Sequence, residues 1–225
     1  MEIKPKIEYG SYFHIYNRGI NSCNIFNSEK NYSHFLNLYK IYINSIAETF
    51  SWCLMPNHFH LLLKIKEKEE IEYLIPENKT SKIAKEKWET FIPDKDYTIE
   101  KFAELKKPVP EKQFSHLFNA YSKAFNKSEN RTGKLFDSRF ERIEVRNEKY
   151  LKNLILYIHF NPVNHGFSNK VKNYKWTSYH SIISNKPTKL MRKKVIEIFE
   201  DIENFMFLHD FNNELYSEEK FPTKF

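Results

Sequence analysis

Residues 50–65, FSWCLMPNHFHLLLKI, read as two strands with a break between them. The stretch 50–54 is aromatic and apolar. Pro56-Asn57 ends it, because proline cannot donate to a sheet ladder and Pro-Asn favours a turn. Residues 58–65 (HFHLLLKI) then resume as a second strand. Upstream, residues 11–17 (SYFHIYN) are rich in aromatic and β-branched side chains and stop at Arg18-Gly19, a strand followed by a turn. Between these strands Tyr32, Phe35, Leu36, Leu38, Tyr39, Tyr42, Ile43 and Ile46 recur at helical spacing over 28–47, with Ser28 placed to cap the helix. A strand, a helix and a hairpin-like strand pair, in that order, open an α+β sandwich: an antiparallel sheet with helices on one face.

Downstream the pattern weakens and then returns. Residues 67–112 carry four prolines amid mixed charge and read as an insertion with one or two short helices. Phe114, Leu117, Phe118, Tyr121 and Phe125 restore helical spacing, Gly133 marks a turn, and 134–145 contains strand-like material. A helix is expected over 148–160, closed by Pro162 and Gly166. A short closing element follows at 174–184, and Val195, Ile198, Phe199, Ile202 and Phe205 predict one amphipathic helix over 190–207. The expected division is a domain over 1–185, interrupted at about 67–112, and a helical tail over 186–225.

Composition removes several classes of function. Four glycines lie too far apart for a phosphate-cradling loop or a dinucleotide fingerprint, so no nucleotide cofactor is expected. Two cysteines cannot build a disulfide framework or a CxxC zinc site. No apolar run reaches the roughly 20 residues of a membrane-spanning helix, and the opening residues lack a signal peptide's apolar stretch. A cytoplasmic protein without membrane contact is expected. The 36 Lys+Arg against 29 Asp+Glu give a formal charge of +7, which suits a polyanionic partner. Much of that charge is interleaved with Glu, however, and reads first as solvated surface.

Two constellations carry chemistry. On a strand His58 and His60 face the same side, while Phe59 points into the opposite layer. Two neutral imidazoles side by side are two-thirds of a divalent metal site, or else an ordinary surface pair. In LILYIHFNPVNHG (154–166), Tyr157 and Asn161 are four apart on a helix and share a face. A phenol and an amide oxygen at one edge suit a nucleophile beside a metal ligand; alone, they read as a core Tyr and a C-terminal cap.

Taken together and in order, the HFH pair after Met-Pro-Asn, the YIHFNP run, HIYNRGINSCNIF (14–26), NKSENRTGKLFDSRFERI (126–143) and WTSYHSI (176–182) resemble the HUH single-tyrosine transposases. The branch they resemble is the REP-associated tyrosine transposases. The resemblance covers roughly residues 9–183. It implies a ferredoxin-like α+β sandwich of the HUH endonuclease type, with the His pair on a central strand and the Tyr helix packed across it. It further implies that His58, His60 and Asn161 hold Mg²⁺ or Mn²⁺, and that Tyr157 is the nucleophile in nicking and joining single-stranded DNA at hairpins through a 5′-phosphotyrosine. Monomer and homodimer both remain open.

Arg18, Lys134, Arg139, Arg142 and Arg146 cluster near the expected strand ends and are nominated for DNA backbone phosphates. Tyr121 is the rival nucleophile, but its place on the 114–125 apolar stripe favours core packing. His159 is turned about 200° from Tyr157 on a helix and reads as packing or DNA contact. His116, His165 and His180 have no spacing that singles them out. Ordinary imidazole titration predicts loss of metal below roughly pH 6.5. A hairpin-binding regulator that does not cut, and a replication-initiator or relaxase-type nickase, are the competing functions.

Overall fold

The computed structural model describes residues 5–71, 73–74, 90–91 and 107–211. Strand β1 (Tyr12–Arg18) leads through helix α1 (Glu29–Ile43) into the hairpin of β2 (Ala47–Met55) and β3 (His58–Ile65). A small separate pair, β4 (Tyr73–Leu74) with β5 (Thr90–Phe91), precedes α2 (Pro110–Ser128) and β6 (Glu141–Val145). The rest is helical: α3 (Glu148–Asn164), α4 (Tyr179–Ile183), α5 (Arg192–Ile198) and α6 (Ile202–Phe211). Among the described residues no helix is long and apolar enough to cross a membrane.

The main sheet runs β2-β3-β1-β6, and every neighbouring pair is antiparallel. Two crossovers, β1-α1-β2 and β3-α2-β6, joined by the β2-β3 hairpin, make the β-α-β-β-α-β arrangement of a ferredoxin-like sandwich. The sequence expectation of an α+β sandwich on an antiparallel sheet is met.

Strand alternation divides the sheet into two faces. Phe13 and Ile15 of β1, Leu54 of β2, and Phe59, Leu61 and Leu63 of β3 join one core with Phe35 and Tyr39 of α1 and Phe114, Phe118 and Tyr121 of α2. Burying a side chain such as Phe59 contributes roughly 1.5–3 kcal/mol, so this aromatic layer holds α1 and α2 firmly. The opposite face carries His14 and Tyr16 of β1, Ser51 and Cys53 of β2, and His58, His60 and Leu62 of β3. Helix α3 lies across it. Helices on one face therefore describes α1 and α2 alone; α3 covers the second face, where its Leu154, Ile155 and Ile158 meet Leu62 and Phe50 in a second core.

Two expected boundaries move. Helix α3 continues through Pro162 to Asn164 rather than stopping at 160. Proline removes one N–H from the ladder, but the His165 amide still donates to the Asn161 carbonyl at 3.0 Å, so the helix survives the substitution. The single helix expected over 190–207 is two. Glu200 adopts a left-handed conformation (φ 74°), and the Asp201 carboxylate then accepts from the Asn204 amide at 2.7 Å, starting α6 anew. Both helices are built into the second core through Val195, Phe199 and Phe205.

The open edge of β2 is covered. Leu54 donates to the Trp176 carbonyl, Ser178 to the Trp52 carbonyl and Met191 to the Thr49 carbonyl, each at 2.9 Å. These bonds occupy the edge strand's own groups and leave no template for pairing with another chain. Most of the expected 67–112 insertion, and residues 212–225 of the expected tail, lie outside the described residues.

Candidate active site

The β1-β3 register sets Tyr16 opposite His60, Arg18 opposite His58 and His14 opposite Leu62. Directly opposed residues share a face, so His14, Tyr16, His58 and His60 all project from the sheet toward α3. From α3, Tyr157 and Asn161 come down one turn apart. The Asn161 Nδ2 donates to the Tyr157 carbonyl at 2.9 Å, which fixes the carboxamide against its own helix.

The geometry joins the two constellations. The Tyr157 ring stands edge-on to His60 with centroids 5.5 Å apart, and edge-on to His14 at 6.1 Å. The Asn161 carboxamide lies close enough to His58 and His60 to favour the protonated form of each, although no ordinary hydrogen bond joins it to either ring. Its Oδ1 is buried with no hydrogen-bond donor. A buried carbonyl oxygen in that state costs about 1–3 kcal/mol, which folds tolerate mainly where the group has another use.

Each imidazole has its Nδ1 committed. His58 Nδ1 meets Asn57 Oδ1 at 2.7 Å, and His60 Nδ1 meets His14 Nε2 at 2.9 Å. Because Asn57 Oδ1 can only accept, His58 carries its proton on Nδ1, and Nε2 is its lone-pair nitrogen. Burial pushes His58 down to about 3, helped by the nearby His165. Burial pushes His60 well below the usual imidazole range, with His14 and His58 adding to the effect. Both rings are therefore neutral at pH 7. The loss of metal expected below pH 6.5 moves to lower pH, because burial disfavours protonation of both rings.

Tyr157, His60 and Asn161 are wholly buried and His58 nearly so. A phosphodiester reaches this phenol only if neighbouring groups move aside. Among the described residues no cluster of three or more His, Cys, Asp or Glu side chains has metal-binding geometry.

The nominated basic residues scatter. Arg18 faces His58 across the β1-β3 ladder, adds to the charge felt by that ring, and lies 3.9 Å from Asp137. Lys134 Nζ donates to the Asp137 carbonyl, and Arg139 is exposed nearby. Arg142 shares the face of Ile15, away from the imidazoles, with Glu111 at 2.7 Å and the Pro5 carbonyl around its guanidinium. Arg146 binds Glu144 through two nitrogens, at 2.9 and 2.6 Å.

Two imidazoles escaped the sequence reading. His14 lies two residues before Tyr16 on β1, and alternation along 11–17 would have put it on the HFH side once the β1-β3 pairing was known. His165, just past α3, packs edge-on against His58 at 4.7 Å. Nothing in its spacing announces that contact, which depends on α3 running on past Pro162. Tyr121 belongs to the other core, where its hydroxyl donates to the Ile25 carbonyl, so the sheet separates it from the imidazoles. His159 is buried among Ser51, Ser178 and His209.

No protein-family model matches the chain. A Haemophilus influenzae protein described as a candidate REP-associated tyrosine transposase is 30% identical over 135 residues, which are 59% of this chain and 59% of that protein. The chain is similar to the REP-associated tyrosine transposases. The match spans about three-fifths of its relative's length, and it upholds the resemblance read from the motifs. A solved REP-associated tyrosine transposase bound to a REP hairpin aligns with 83% of this chain and 88% of its own, with a TM-score of 0.48 and 16% identity. That likeness is too loose to carry weight; the sandwich rests on its own strand order and register.

Proposed function

We propose that this chain is a single-strand DNA endonuclease and strand transferase of the REP-associated tyrosine transposase kind, acting at DNA hairpins with a divalent cation. The observation that carries the reading is the meeting of Asn161 with both His58 and His60, one helical turn from Tyr157.

The donor chemistry fits Mg²⁺ or Mn²⁺. Two buried, neutral imidazoles and a buried amide oxygen without a donor make a mixed N,N,O set, comfortable for Mn²⁺. When bound, such an ion neutralises charge growing on the non-bridging oxygens of a phosphodiester and orients the phosphate. His58, His60 and Asn161 would hold it. Tyr157 supplies the nucleophile: its Oη bonds to phosphorus as the phenol proton leaves, the P–O3′ bond breaks, and the departing 3′ oxygen takes up a proton. A 5′-phosphotyrosine results, and attack by another 3′-OH reverses the step and joins strands. Arg18, opposite His58 on the ladder, would meet the DNA backbone, with the exposed Lys134 and Arg139 as further candidates; Arg142 and Arg146 are held at 2.7 and 2.6 Å by carboxylates.

The test uses the full chain, Mn²⁺ and a labelled hairpin taken from inverted repeats flanking the gene. A covalent protein–DNA adduct is expected with wild type and Tyr121→Phe, and none with Tyr157→Phe. An adduct that persists in Tyr157→Phe and disappears in Tyr121→Phe would overturn the assignment. The full burial of Tyr157 favours one second reading, a regulator that binds hairpins without cutting. Tight, metal-independent binding with no cleavage under any ion would establish that reading instead.

A further inference from the structure

We propose that His14 is the positioning residue for His60: its Nε2 accepts a hydrogen bond from the His60 Nδ1–H and so leaves His60 Nε2 as the lone pair for the cation. This rests on the reading of function above.

The pair is built deliberately into the pleat. His14 sits opposite Leu62, one diagonal step from His60, and the two rings stack at 5.1 Å with 26° between their planes. Both residues are fully buried, so water does not compete for their 2.9 Å hydrogen bond. The flanking β1 residues Phe13 and Ile15 are apolar, as is usual for a central strand. An imidazole between them, fully desolvated, has only one hydrogen-bond partner in the described structure: His60.

Two proton arrangements are open to two neutral rings. In one, His14 donates from Nε2 to His60 Nδ1; His60 then carries its proton on Nε2, where it blocks a cation. In the other, His60 donates from Nδ1 to His14 Nε2, and His60 Nε2 becomes a ligand. The second arrangement puts a proton on His14 Nδ1, a buried nitrogen with no acceptor, at a cost of about 1–3 kcal/mol. Starting from the first arrangement, loading the site moves the shared proton toward His60, removes one from His60 Nε2 and adds one at His14 Nδ1. No net proton is gained or lost. His58 needs no such device, because Asn57 Oδ1 fixes its tautomer outright. Ligating histidines generally donate their second nitrogen to an orienting partner, and losing that partner weakens metal binding about 10–100-fold.

The experiment compares wild type, His14→Leu and His14→Asn as full chains. Calorimetric titration with Mn²⁺ gives the affinity, and ¹⁵N NMR of the histidine side chains with Mg²⁺ gives the His60 tautomer. Leu fills the space without an acceptor, whereas Asn restores a carbonyl oxygen. Weakening by about 10–100-fold in His14→Leu, recovery to within a few-fold in His14→Asn, and a proton on His60 Nδ1 in the loaded wild type are the expected results. Folded His14→Leu that binds Mn²⁺ as tightly as wild type overturns this proposal alone. So does an Asn variant no better than Leu. Failure of the wild type to take up Mn²⁺ at all overturns the metal-dependent function as well.

Discussion

Replacing Asn161 by Leu separates the needs of the fold from those of the site. In the metal-free chain the substitution removes one hydrogen bond, Nδ2 to the Tyr157 carbonyl at 2.9 Å, worth about 1 kcal/mol net. That carbonyl keeps its helical partner, the Asn161 amide, so no new orphan is made. The substitution also removes Oδ1, a buried oxygen without a donor whose desolvation costs about 1–3 kcal/mol. The two nearly cancel, and the variant is expected to be between equal to wild type and about 2 kcal/mol more stable. For a chain of this size that is a rise of at most roughly 8 °C in Tm. Cation-linked stability behaves oppositely. Wild type should gain about 2.7 kcal/mol at a Mn²⁺ concentration 100 times its Kd, and Asn161→Leu should gain almost nothing. Thermal and urea unfolding with and without Mn²⁺ read both quantities. A loss above about 1 kcal/mol in metal-free buffer would show that Oδ1 has a structural partner, and an undiminished Mn²⁺ gain would remove Asn161 from the ligand set.

Other outcomes follow from the same structure. His14, His58, His60, His159 and His209 are all held below the usual imidazole range, chiefly by burial, with His14 and His58 near 3 and His209 near 4. The unfolded chain therefore binds more protons between about pH 6.5 and 3, so stability should fall as pH drops through that window, by up to about 2 kcal/mol per histidine from 6.5 to 5. A urea midpoint unchanged between pH 7 and 5 would contradict this burial. His159→Leu strands His209 Nε2 and strips one partner each from Ser51 and Ser178, and should cost about 2–4 kcal/mol in urea unfolding. A loss below about 0.5 kcal/mol would mean the network holds little. Arg18→Ala should weaken hairpin binding at all sequences alike and lower the salt slope by about 1, whereas Arg142→Ala, whose charge faces Glu111, should leave that slope unchanged.

The sequence alone determined the alternation that puts His58 and His60 on one side of a strand and Phe59 on the other, because side-chain direction on a strand depends only on parity. It likewise determined the shared face of Tyr157 and Asn161, since four residues are close to one helical turn. The strand-helix-hairpin order came from the same local physics. Tertiary structure decided the rest. Only the β1-β3 register brings His14 to His60, and only the packing of α3 on the second face lowers Asn161 onto both imidazoles. The run of α3 past Pro162, which carries His165 to His58, depends on hydrogen bonds beyond the proline that no local rule foresees. Burial, set by what covers the sheet, holds His14, His58 and His60 neutral. Periodicity is a property of neighbours along the chain, whereas desolvation and contact are properties of neighbours in space.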